Sequence, residues 1–527
     1  MVKAWLRKQT VRAYSALGGQ TRSYSAAKVG RHTRDWKAFL TSADEEVWRD
    51  LTALRARSRS LARDDDYFKS FLRKLVANVI GPKGFTTLVQ TQIGLMAEGA
   101  EHGNTKIQRD RKLNKTVEDA FWKWSKKRHA SASEKLSWLD LQKLCVETLA
   151  VDGEAFFRII YGRNAFGFSL QQIDADWLDT NYNERLPNGN RIVMSVEMDA
   201  YDRVLYYHLT PPRHSYYGVV RDHGIAPEGK RVRVPASEMI HVFVSHRPGQ
   251  TRGVPFAHTA MGRMRQLDKY EEAELINAIV GASKMGFVMP DVETIWEDGA
   301  QMAEGSEAPI VDTVVPGLIQ KLPAGWKFES FDPKSPTAVF SQFCKHILRG
   351  IASGLGISYN TLADDLESVN YNSLRSGALS DRDIYRGYQE FIKEHFCEPV
   401  FESWLNVANG SPYLRIPERD MERVLDGALF VGRGWEWVDP KNEAEANIAE
   451  HFAGMRPLTE ILAERGKTLE ETLETYKYER ELLASYGLSF TAVSDGNGTG
   501  NNAGDSKTSG ADSKAKPDTG TDKGTGS

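Results

Sequence analysis

The chain has 527 residues, 41% hydrophobic and 26% charged, with 68 basic against 71 acidic side chains for a net charge of -3. That length suggests about three or four domain-sized units, and the composition excludes a wholly disordered, collagen-like or disulfide-stapled protein. A chain that wraps nucleic acid by neutralising many phosphates is far more basic, so any nucleic acid here is held locally, weakly or transiently.

Residues 1–37 carry nine Lys or Arg and a single acid, Asp35. A basic, Ser-rich, acid-poor segment fits an organelle transit peptide or, the preferred reading, a flexible basic arm over residues 1–42. From 43 to 79 apolar residues recur every three to four positions (Leu51, Leu54, Leu61, Phe68, Phe71, Leu72, Leu75, Val76), which predicts helix. Gly81-Pro82-Lys83-Gly84 ends it, because Pro cannot continue a helix and Gly suits the reversal. Helical spacing returns at 116–127 and 138–152.

The period then changes. Short runs rich in β-branched and aromatic residues (155–161, 168–173, 192–198, 204–209, 239–244) are separated by Gly, Asn and Pro, with 186–190 a strong turn signal. These predict an antiparallel β-rich region inside an otherwise helical protein. A long helix is expected from Pro255 to about Lys284, closed by Pro290. A turn-rich insert follows over 291–335, with strand signals at 310–315 and 326–331. A second helix is expected over 336–354, then a polar, acidic stretch to Asn372, then another long helix over 373–407. The chain is helical again from about 437 to 488. Residues 494–527 hold only small and polar residues and cannot bury enough apolar surface to offset ordering, so they read as a disordered tail. The best candidate for a membrane span, 276–289, is too short and carries Lys284. The three cysteines (Cys145, Cys344, Cys397) lie far apart with no CxxC pair, which argues against a disulfide framework or a cysteine metal site.

Local motifs give little catalytic chemistry. Gly81–Gly84 lacks the spacing and the Ser/Thr of a phosphate-binding loop. Gly281-Ala282-Ser283-Lys284-Met285-Gly286 places its last Gly one position too far for a nucleophile elbow. Asp174, Asp176 and Asp179 lack the Gly and Glu of a calcium loop and read better as a polar turn after a strand. His241 and His246 are better explained as ordinary core or surface histidines than as ligands. The expectation is no cofactor, no metal and no enzymatic activity. On the helix after Asn372, Arg375, Arg382, Arg386 and Lys393 fall within a stripe roughly 40° wide. Asp383, Glu390 and Glu394 flank it, so internal pairing, phosphate contact and an inter-subunit seam are all open readings.

Taken in order, the landmarks resemble the lambda-type family of tailed-bacteriophage portal, or head-tail connector, proteins, from about residue 43 to 488. They begin with Val76-Ala77-Asn78-Val79-Ile80-Gly81 and Asp152-Gly153-Glu154-Ala155-Phe156. Val196-Glu197-Met198-Asp199 and Ile240-His241-Val242-Phe243 follow. The most distinctive string runs through Arg247, Pro248, Gly249, Gln250, Thr251, Arg252 and Gly253 to Pro255. Further on come 351–359, Asn370-Tyr371-Asn372-Ser373-Leu374-Arg375 and Trp437-Val438-Asp439-Pro440. Asp64-Asp65-Asp66 and Asn372 depart from the common pattern.

The resemblance implies an α+β portal fold assembled as a ring, twelvefold, around double-stranded DNA read without sequence specificity. It implies a wing of helices plus antiparallel β (43–254), stem helices (255–289 and 336–356), a clip (290–335), a tunnel loop (357–372), a long helix and wing return (373–436), and crown helices (437–493). The clip would face terminase and later head-completion or adaptor proteins, its acids Asp291, Glu293, Glu297 and Asp298 offering replaceable polar contacts. The implied channel residues are Asp364, Asp365, Glu367, Asn370, Arg375, Arg382, Arg386 and Lys393. Major capsid and scaffold proteins complete the partners, with no membrane. The protein would be made in the host bacterial cytoplasm and carried at the portal vertex of the virion. The alternative is a hydrolase or nuclease with a site dispersed in sequence.

Overall fold

The computed structural model describes residues 40–96, 105–210, 230–282, 286–290, 326–330, 340–367, 370–435, 440–463 and 469–486. The basic arm up to residue 39, the clip acids Asp291, Glu293, Glu297 and Asp298, the strand signal at 310–315 and the tail over 494–527 lie outside the described residues.

Three consecutive acids break the first helical stretch, which the spacing alone reads as continuous. Helix α1 (Ala43–Asp64) starts at Ser42, whose hydroxyl accepts from the Glu45 N–H. Asp65 then leaves helical geometry, and its carboxylate accepts from the Phe68 N–H at 2.7 Å to start α2 (Asp66–Val79). An aspartate satisfies the orphan donors of a new helix better than it serves the middle of an old one. Phe68, Phe71, Leu72, Leu75 and Val79 form the buried stripe of α2. Gly81 turns the chain away at φ 71°.

Strand β1 (Thr86–Val89) leads to a hairpin of β2 (Gln92–Met96) and β3 (Thr105–Arg109), which sequence spacing does not reveal. Helices α3 (Arg111–Trp124) and α4 (Trp138–Asp152) follow, the latter opened by a reciprocal Ser137–Asp140 cap. The expected β-rich middle forms two antiparallel sheets. Strands β4 (Glu154–Tyr161) and β5 (Phe168–Ile173) pair with β11 (Met239–Phe243) in the order β11-β4-β5. The other sheet runs β10-β9-β8-β7-β6, with β6 at Glu184–Arg185, β7 at Arg191–Val193, β8 at Val196–Met198, β9 at Val204–Leu209 and β10 at Val232–Pro235. The 192–198 run, expected as one strand, is a tight hairpin whose corner residues Met194 and Ser195 take φ 47° and 70°.

Alternation along β4 divides the interior. Ala155, Phe157 and Ile159 join the main core, while Phe156 turns into a second core with Ile173, Trp177, Val196, Met198, Tyr207 and Leu209. The main core centres on stacked and edge-on aromatics, Phe121 lying 4.9 Å from Trp404 and 5.4 Å from Phe401 between ring centroids. Cys145, Cys344 and Cys397 are free and buried.

The long central helices differ in detail from expectation. A short 3₁₀ turn (Phe256–Thr259) precedes α5 (Met261–Ala282), and Gly286–Pro290 forms strand β12 rather than a helix end. Strand β12 pairs antiparallel with β13 (Trp326–Ser330), Pro290 opposite Trp326, so the insert is pinched at its base. Helix α6 (Phe340–Leu355) returns antiparallel to α5: the Thr259 hydroxyl donates to the Gly354 carbonyl at 3.2 Å, and the Tyr270 ring stacks on Phe340 at 5.6 Å.

Residues 357–372 are not wholly loop, since they hold α7 (Tyr359–Ala363) and the start of α8 (Tyr371–Ile392). A π turn over Lys393–Cys397 joins α8 to α9 (Glu398–Ala408). The chain then passes through α10 (Glu418–Asp426) to β14 (Ala428–Val431), which pairs with β1 across more than 300 residues of sequence. Helices α11 (Pro440–Phe452) and α12 (Leu458–Ala463) complete this unit. Residues 468–527 form a separate unit, whose described part is α13 (Leu469–Ser485).

Candidate functional site

Two polar constellations stand out, and the first begins with two charges placed where helix and strand geometry would ordinarily put apolar residues. In α1 the inward stripe of Ala43, Val47 and Leu51 continues with Arg55, which is buried. In β4 the first residue is Glu154, fully buried. An isolated carboxylate cannot remain ionised in such a place, so partners must reach it.

Glu154 collects three of them. Arg252, itself fully buried, brings Nε and Nη2 to within 2.6–3.0 Å of the two carboxylate oxygens. Arg55 donates from Nη2 at 2.5 Å, and the His241 imidazole Nε2 lies 3.1 Å from Oε2. Burial pushes the Glu154 carboxyl up, but the Arg252 guanidinium, the His241 hydrogen bond and Arg55 outweigh it and hold the group well below the usual range. Burial also lowers the His241 pKa against the pull of Glu154, so a neutral ring donates to the carboxylate. Arg59 extends the network outward, gripping Asp152 at 2.7 and 2.9 Å and reaching Asp174 and Asp176. Asp174 caps a 3₁₀ turn and Asp176 bonds both arginines, so these acids serve an ion-pair lattice.

The distinctive string from Arg247 to Pro255 supplies the anchors. Pro248 and Gly249 (φ 77°) turn the chain, closed by the Gln250 N–H to the Arg247 carbonyl at 3.2 Å. Gln250 accepts from the His246 N–H and donates to the Arg252 carbonyl. Arg247 pairs with Glu46 at 2.7 Å, and Thr251 binds the Asp44 carboxylate twice, so the string latches the first turn of α1. Arg252 also donates to the Met194 carbonyl at 2.8 Å, holding the corner of the β7–β8 hairpin in its unusual backbone region. Gly253 has a packing reason to be Gly: a Cβ there would sit 2.0 Å from the Gly153 carbonyl oxygen.

The second constellation surrounds α7. Its cap Ser358, together with Thr361, binds the buried Asp381 of α8. Asp364 takes the left-handed conformation and pairs with Lys74 at 2.6 Å. Asp365 accepts from the Tyr359 hydroxyl at 2.7 Å and pairs with Lys345 at 3.0 Å, which brings its carboxyl down to about 2. Lys345 also reaches Glu367 at 3.2 Å. These acids therefore do not form a loose, unanchored stretch: lysines from α2 and α6 brace them. Asn370 caps α8, accepting from the Ser373 N–H at 2.8 Å.

On α8 the exposed Arg386 bonds Asp383, and the partly buried Lys393, first residue of the π turn, bonds Glu390 three residues before it. Arg375 and Arg382 are half-buried, Arg382 on the wall of a cleft beside α2. Sequence reading thus found Arg252 and the acids but missed their partners Arg55, Arg59, Lys74 and Lys345, and also the buried Asp381 that holds Ser358 and Thr361. The one available signal was Arg55, a cation on the apolar stripe of α1. Among the described residues no cluster of three or more His, Cys, Asp or Glu is arranged to hold a metal, and no helix is long and apolar enough to cross a membrane.

The charges of both constellations are spent on one another inside a mixed helix-and-sheet body, where they fix geometry. The chain belongs to the lambda family of phage portal proteins: the family described as phage portal protein, lambda family, matches residues 29–389. That family is structural. The chain is 35% identical over 431 residues to the probable portal protein of Halomonas phage phiHAP-1, covering 81% of this chain and 80% of that one. It is 22% identical to portal protein B of Escherichia phage lambda over 260 residues, 45% of this chain and 48% of that one. Among solved structures, a chain of the neck of an empty GTA particle matches with a TM-score of 0.41 and 13% identity, over 80% of this chain and 94% of that chain.

Proposed function

We propose that this portal protein closes with copies of itself into a ring, twelvefold, whose channel conducts double-stranded DNA into a capsid and later out of it. The observation that carries the reading is family membership over residues 29–389. In this reading 43–254 and 373–436 form the wing, 255–289 and 336–356, which contain α5 and α6, the stem, and 290–335 the clip, which faces terminase during packaging and head-completion or adaptor proteins afterwards. Residues 357–372 approach the channel and 437–493 form the crown inside the head. Scaffold and major capsid proteins surround the ring at one vertex.

Physical features support it. The outer half of α5 leaves Leu275, Ile276 and Ile279 more than half exposed, an apolar surface of the kind a neighbouring copy covers in a closed heterologous ring. The near-neutral chain suits a conduit, because every tight phosphate contact adds salt-dependent affinity that would hinder sliding. Negative-stain imaging with native mass spectrometry tests the proposal. Rings with a central hole are expected, and Leu275→Glu/Ile276→Glu is expected to give monomers of unchanged circular dichroism. Particles without a hole, or rings unaffected by that pair of substitutions, would count against it.

A further inference from the structure

A cleft of about 1410 Å³ shares no side chain with the buried hub or with the lysine-braced acids. Its walls come from α2, the 81–84 turn, α4, α8 and the end of β14. The floor is apolar: Leu72, Val76, Ile80, Val431 and Trp435. Around it stand Lys69, Arg73, Lys83 and Lys143, joined by Arg382 and Arg433, against one carboxylate, Glu147.

Charge balance makes this unusual. The protein carries slightly more acids than bases, yet here six cations face one carboxylate, whereas the cations of the two constellations, Arg55, Arg59, Lys74 and Lys345, are each matched by acids. Among the described residues, Lys69, Arg73, Lys83 and Lys143 form no ion pair. The opening is held by construction. Gly81 lets the backbone pass against Arg433, whose Cδ would lie 2.9 Å from an added Cβ, while Arg433 itself is tied to the Ala77 carbonyl and to Asn78. Gly84, at φ 74°, is pressed against Gln142 and Leu139 in the same way.

We propose that the cleft docks an acidic amphipathic helix from a partner protein. Its apolar stripe would lie on Leu72, Val76 and Trp435, and its flanking carboxylates against Lys69, Arg73 and Lys83. The match is of chemistry and size: a helix 10–12 Å across, rising 1.5 Å per residue, fills such a volume with about ten residues. Complementary charge on the rim sets orientation and speeds encounter. Duplex DNA fits less well, because its phosphates would meet the rim and leave the apolar floor uncovered. This inference does not depend on the ring or the channel.

The probe is a fluorescein-labelled, stapled helix of about 16 residues with Leu every three or four positions and Glu on both flanks. Fluorescence anisotropy is expected to show saturable binding, weakened more than about tenfold by Lys69→Glu/Arg73→Glu/Lys83→Glu and also by Val76→Asp. The same helix with Lys for every Glu is expected not to bind. The three cations are exposed, so the triple variant should keep the wild-type melting curve; Lys69→Ala/Arg73→Ala/Lys83→Ala serves if it does not. Equal binding to wild-type and triple variant, or no binding at about 1 mM peptide, overturns the proposal. It is also overturned if a duplex DNA binds through these three side chains and the peptide does not, or if the triple variant changes the oligomeric mass, which would make the cleft a contact between copies.

Discussion

The hub around Glu154 and the acids around α7 use the same pieces, carboxylates met by cations, to different effect. Glu154 is sealed from water and receives two guanidiniums and an imidazole, whereas Glu367 is 81% exposed and shares a single lysine with Asp365. In the interior a charge whose partner is removed has no water to fall back on, so each partner is obligatory. At the surface water replaces the lost partner and salt screens what remains. The hub therefore fixes how α1, the two sheets and the Arg247–Pro255 string fit together, while the acids after α7 are expected to tolerate exchange without loss of fold.

The largest effect is expected at Arg252. Arg252→Met leaves Glu154 underpaired and frees the Met194–Ser195 corner, which should cost about 3–5 kcal/mol in urea unfolding followed by tryptophan fluorescence. Arg252→Lys should recover only part of this, because one ammonium cannot reproduce the fork of donors. A loss no larger than that of a surface pair would break the comparison. Next comes Gly253→Ala, where the added methyl meets the Gly153 carbonyl; about 1–3 kcal/mol is expected in the same assay.

A smaller effect separates the regions by pH. Burial lowers the folded-state pKa of His241, so the unfolded chain takes up a proton that the folded chain refuses. That contribution is complete above the unfolded value of about 6.5 and declines as pH falls below it. Wild-type urea midpoints should therefore drop from pH 7 to pH 5, and His241→Gln, which keeps a donor but does not titrate, should flatten that drop. Glu154 and Asp365 titrate only in stronger acid, because both carboxyls are lowered. The Lys345–Asp365 contact should persist until pH approaches about 2, readable as the Asp365 carboxyl shift in NMR.

The smallest effect on folding is expected from Asp364→Lys/Asp365→Lys/Glu367→Lys, with melting curve and oligomeric mass close to wild type. If the loop meets DNA, packaging should nevertheless fail at low salt and recover as salt rises, because the new phosphate contacts are screened. Wild-type packaging at every salt would remove these residues from the channel, and broken assemblies would place them between subunits.

Much was legible in the residues themselves. Short runs rich in β-branched and aromatic residues announced the β-rich middle, the Pro-Asn-Gly turn fixed the β6–β7 connection, and the order of landmarks led to the family. Capping chemistry was also local: Asp65 and Asn370 are the kinds of residue that start helices, although spacing alone ran across Asp65. What the sequence could not supply was the partner of each charge. Glu154 meets Arg55 and Arg252 across about 100 residues on either side, Lys74 meets Asp364 across 290, and β1 pairs with β14 across more than 300. Local periodicity encodes which face of an element is buried, because that depends on dihedral geometry a few residues long. Which buried face meets which is decided only when the chain closes on itself, since a carboxylate carries no mark of the cation that will neutralise it.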